Sequence, residues 1–135
     1  MKSLLQRQAN RRQLLGGGVC AIAATALAGH AIAGEERALT TNASLVLHDQ
    51  RFPLAADMQR RLQSNGARII PLREDPVRMW RDELGALLEP RDTRLLGVTR
   101  WPEFLMIRGL AAESRRHVRY QRLDAPTGAI VWLIA

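Results

Sequence analysis

Three short apolar runs, Ser44 to His48, Ala67 to Leu72 and Arg94 to Thr99, alternate with stretches whose apolar residues recur every three or four positions. Continuous apolar runs of this length suit strands covered on both faces, and the three-to-four recurrence suits helices laid on those faces. Their alternation restricts the chain to an α/β fold in which parallel strands are joined by helical crossovers.

The connecting stretches carry helix signals. Over Pro53 to Ser64, Leu54, Met58 and Leu62 share one face, Arg60 and Arg61 point outward, and Gly66 follows as a stop. Asp75-Pro76 is an N-cap aspartate before a first-position proline, Val77, Trp80, Leu84, Leu87 and Leu88 form a stripe, and Glu89-Pro90 ends it. Pro102 opens a third helix whose Phe104, Leu105, Met106, Ile107, Leu110 and Ala111 are apolar nearly all round, which predicts that much of its surface is covered. His117 to Leu123 alternates like a strand near a solvated edge, Asp124 to Gly128 is a turn, and Ala129 to Ala135 is a final strand antiparallel to its neighbour. The expected fold is a small, mostly parallel Rossmann-like or flavodoxin-like sheet, β-α-β-α-β-α-β-β, with strand order 2-1-3-4 and the last strand antiparallel at the edge. Such an architecture says little about function.

The first quarter of the chain follows different rules. Residues 2–12 hold Lys2, Arg7, Arg11 and Arg12 and no acid, and Leu14 to Ala28 is apolar except for Cys20 and Thr25. About fifteen weakly apolar positions are too few to span a hydrocarbon core of roughly 30 Å, so no permanent membrane anchor is expected. Ala31-Ile32-Ala33 has the small-x-small pattern of a signal-peptidase site, predicting cleavage after Ala33. The segment Asn10-Arg11-Arg12-Gln13-Leu14-Leu15-Gly16 resembles the twin-arginine (Tat) export signal, with Asn10 where a serine or threonine is usual and Gly16 where a lysine is usual. The resemblance implies passage through an export translocase in folded form to the periplasm. An ordinary Sec signal and an uncleaved membrane-associated N-terminus are the alternatives, and Gly16-Gly17-Gly18 favours the Tat route by lowering hydrophobicity. The organisation read from the sequence is a cleavable signal over 1–33, a flexible polar lead-in over 34–43, and one α/β domain over 44–135.

With the signal set aside, charge loses most of its meaning. The signal holds four of the twenty cations and none of the thirteen acids, so the remainder carries +3 and nucleic acid is not an expected partner. All sixteen remaining cations are arginine, which codon bias explains more simply than a need for bidentate contacts. No cysteine follows Cys20, so the exported part has no disulfide and no thiolate metal or iron–sulfur site. No cofactor and no metal site is expected, since glycine-rich phosphate loops and histidines at metal spacing are also missing.

In open α/β sheets, ligands bind beyond the carboxyl ends of the strands. The loops expected there carry His48-Asp49-Gln50-Arg51, Arg73-Glu74-Asp75 and Thr99-Arg100-Trp101, each beside a helix N-terminus that favours anions. Arg51, Arg73 and Arg100 are therefore candidates to converge on a carboxylate or phosphate, with Trp101 at the mouth. The competing reading is that each is a solvated loop side chain, as expected where one residue in six is arginine. His48 and Asp49 are candidates for general-base work, set against a structural histidine at a strand end, because adjacent strand residues face opposite ways. His117 reads as a turn or edge residue, and Ser44, Ser64 and Ser114 lack the glycine-flanked elbow of a nucleophile.

These readings favour a periplasmic accessory or binding protein without its own catalysis, attached to a larger enzyme or transporter. The alternatives are a small periplasmic enzyme or ligand-binding module handling an anionic small molecule at the strand ends.

Overall fold

The computed structural model describes Glu35, residues 37–73 and residues 75–135, so Arg11, Arg12 and the expected cleavage point after Ala33 lie outside the described residues. Glu74 lies outside them as well. Arg37–Ala135 form one compact unit, mixed α/β in class.

Its strands are β1 (Leu45–His48), β2 (Arg68–Pro71), β3 (Leu95–Thr99), β4 (Val118–Asp124) and β5 (Ala129–Ile134). Three helices connect them. Helix α1 is Ala56–Ser64 and α3 is Trp101–Glu113, while α2 runs on through Pro76–Met79, a π-helical turn Trp80–Leu84 and Gly85–Leu87. The Asp75 cap forms as expected, its Oδ1 accepting from the Val77 amide at 2.8 Å ahead of Pro76. Residues 37–42, read from the sequence as part of a flexible lead-in, are helical, with Leu39 and Thr40 buried.

The sheet order is β2-β1-β3-β5-β4. The parallel pairs β1–β2 and β1–β3 follow the expected 2-1-3 core. The other half differs from expectation: β5 pairs antiparallel with both β3 and β4, so the last strand lies inside the sheet and β4 takes the edge. Two of the four pairings are thus antiparallel, and the sheet is mixed. Burial explains the exchange. All six residues of β5 are buried, from Ala129 to Ile134, whereas β4 alternates half-buried with exposed, so an edge position for β5 would leave an entirely apolar strand half-covered.

The sheet divides two apolar layers. One face carries Leu45, Leu47, Leu95, Ile130, Trp132 and Ile134 against α2 and α3. Val46, Leu96, Val98, Val131 and Leu133 point the other way, toward Leu39 and the Leu62 face of α1. Centrally, Gly97 is opposite Trp132 in the β3–β5 register, and the indole lies over the glycine so closely that a Cβ there would sit 1.9 Å from two ring carbons. Trp132 Nε1 donates to Thr99 Oγ1 at 3.0 Å, which satisfies the polar end of this buried ring.

Candidate functional site

At the carboxyl ends of β1 and β3 the chain builds a four-residue ionic network. After β1, the Asp49 amide donates to Val98 O at 2.9 Å and the Phe52 amide donates back to Asp49 O at 3.0 Å, so the turn is pinned to the neighbouring strand. Asp49 is buried, and its carboxylate accepts from the Arg51 amide at 3.1 Å, from Arg51 Nε at 2.9 Å and from Arg51 Nη2 at 2.6 Å. The hydrogen-bonded Arg51 side chain holds the Asp49 carboxyl below its usual range, outweighing burial, with a smaller contribution from the charge on Arg100. After β3, Arg100 precedes α3 and donates through Nε (3.1 Å) and Nη2 to Oε1 of Glu103, one turn into that helix. Arg51 Nη2 stands 3.9 Å from the same oxygen, which joins the two pairs.

The network balances two carboxylates against two guanidinium groups. Arg51 and Arg100 are therefore brought together, but on internal partners. Arg73 is not part of the network: it is exposed, and lines a separate groove with Arg68, Met79, Asp82 and Glu83 beside β2 and α2. Trp101 is 46% exposed, its ring tilted against Phe104 with centroids 5.5 Å apart.

His48 and Asp49 do not form a dyad. His48 Nε2 lies 2.6 Å from Phe52 O, and because a carbonyl only accepts, this nitrogen carries the proton and donates. The Asp49 carboxylate is turned to Arg51 instead.

Glu103 is the member that sequence reading missed. Its other oxygen, Oε2, is buried and has no hydrogen-bond partner. A buried carboxylate oxygen left so is costly and calls for an explanation. The signal available in the sequence was the three-residue spacing from Arg100 in a helical first turn. Among the described residues, no cluster of three or more His, Cys, Asp or Glu side chains could hold a metal ion.

A second concavity, of about 380 Å³, lies at the other end of the sheet, where Leu95, Ile134 and Val118 are in register. Trp80, Leu88, Arg91, Arg115, Arg116 and Arg119 are among the residues around it. Arg116 is buried and donates through Nη1 to Thr93 O (2.6 Å) and through Nη2 to Pro90 O (2.5 Å) and Leu88 O, so one guanidinium closes the carboxyl end of α2. No known family's sequence profile matches the chain, and no curated protein or solved structure matches it either.

Proposed function

We propose that this chain is an accessory or binding protein, exported in folded form to the periplasm and without catalysis of its own, that docks on a larger enzyme or transporter through the outer side of α3. The observation that carries this reading is the exposure of Trp101, Leu105 and Met106, which are 46%, 43% and 40% exposed on one helix. At 100° per residue these three share a strip with Pro102 and Gly109, both exposed, while Glu103, Phe104, Ile107 and Ala111 fill the buried side. Covering such a strip gains roughly 25 cal/mol per Å² of apolar surface. Arg108, also exposed, borders the strip next to Trp101, so a matching surface carries an acid at its rim. In the Asp49–Arg51–Glu103–Arg100 network both guanidinium groups are taken up by carboxylates of this chain, which leaves neither arginine free for a substrate.

Fractionation of the native host tests both halves of the proposal. We expect a periplasmic protein beginning at Gly34 that elutes well above its monomer mass, and a Leu105→Glu/Met106→Glu variant that elutes as a monomer. Replacing Arg11 and Arg12 by lysine is expected to leave the precursor in the cytoplasm. A wild-type chain found in the cytosol with Met1 intact overturns export, and one that elutes as a monomer overturns docking.

A further inference from the structure

We propose that the cleft formed by the ends of α2 and α3 and the start of β4 binds a small multivalent oxyanion, phosphoryl or polycarboxylate, on the guanidinium groups of Arg91, Arg115 and Arg119.

The charge in this cleft is unbalanced where the other network is balanced. Glu89 is the one acidic side chain around it, and the carboxyl group of Ala135 borders it too, against the four guanidinium groups of Arg91, Arg115, Arg116 and Arg119. Arg116 spends its donors on carbonyl groups, so its charge meets no carboxylate. Arg91, Arg115 and Arg119 are exposed and make no ion pair with any described residue. Guanidinium groups pair in fork geometry with both carboxylates and phosphates, so their convergence selects an oxyanion with more than one charge. A volume of about 380 Å³ lies at the small end of ligand sites and suits a small ligand.

Three backbone irregularities meet here, each placing a residue that regular structure would place elsewhere. Arg115 has φ +58°, in the left-handed region that favours glycine. It occupies the glycine position of a helix-ending motif, with the Arg115 amide donating to Ala112 O at 3.0 Å and the Arg116 amide to Ala111 O at 2.9 Å. Arg119 is the extra residue of a β-bulge, because Val118 pairs with Ile134 and Tyr120 already with Leu133. The π-helical turn in α2 presents Trp80 and Gly85 to the same cleft, and a Cβ at residue 85 would lie 2.9 Å from Trp80 O. An arginine kept where glycine is easier is local strain, and the bulge and the π turn bring Arg119 and Trp80 to the same cleft.

Calorimetric titration of the full chain with inorganic phosphate and with citrate, at fixed ionic strength, tests this. At least one of the two is expected to bind and to raise the melting temperature beyond what sodium chloride does. Arg119→Ala and Arg91→Ala, both changes at exposed side chains, are each expected to weaken binding by about tenfold or more. Arg115→Gly separates binding from folding: it is expected to melt about 4 °C higher without anion yet bind about tenfold more weakly. Phosphate preferred over citrate identifies a phosphoryl ligand, and the reverse a polycarboxylate. Failure of both anions to bind, or unchanged affinity in all three variants, overturns the proposal, and neither result bears on α3 docking.

Discussion

At the scale of single residues, the sequence placed arginines at the strand ends but could not say what they touch. Arg51 and Arg100 turn to Asp49 and Glu103, and Arg73 to a different groove, because each side chain takes the nearest carboxylate or the nearest open surface. The carboxyl of Asp49 is held low by Arg51 in the folded state, so its contribution to stability is present above the unfolded value of about 3.9 and is lost as pH falls through the folded one. Asp49→Asn is therefore expected to lower the urea midpoint at pH 7, and the gap to the native protein is expected to narrow toward pH 3. A gap that stays constant across that range removes the pair from the stability of the fold. His48 was legible as a structural strand-end histidine, and its bond to Phe52 O fits that reading.

At the scale of elements, periodicity located the five strands of the sheet and the three helices that connect them, since the period of apolar residues is a local property. The π turn, the Arg119 bulge and the helical character of residues 37–42 were not legible, because each depends on what the segment packs against. The bulge also explains β4. By shifting the alternation after Val118 it sends Tyr120 to the layer of Leu133, and Leu123, near the end of this edge strand, is 60% exposed. At Gly97 a strand neighbour, Trp132, fills the space that a side chain would take. Gly97→Ala forces a methyl group into a buried ring that is hydrogen-bonded to Thr99 and cannot withdraw. The expected cost is about 3 kcal/mol, at the upper end for overpacking. Trp132→Leu in the same chain is expected to restore part of it, and chemical denaturation of the single and double variants measures the coupling.

At the scale of the whole molecule, Arg116 is the residue whose role emerges only from the assembled fold. It joins the end of α3 to Leu88, Pro90 and Thr93, which lie 23 to 28 positions away. Arg116→Met leaves those carbonyl groups without their charged donor, and a loss of about 2–4 kcal/mol is expected in urea unfolding. Arg116→Lys is expected to recover less than half, because one ammonium cannot reach three acceptors in a plane. Unchanged stability of the methionine variant assigns the closure of α2 to other contacts. The sequence by itself determined the alternation of strands and helices and the lack of cysteine after Cys20, both of them properties of local periodicity and composition. Only the tertiary structure decided that β5 lies inside the sheet, that Glu103 joins Asp49, Arg51 and Arg100, and that four arginines surround one cleft. Those outcomes depend on which surfaces meet, and a fully apolar strand must be covered on both sides whatever its place in the chain.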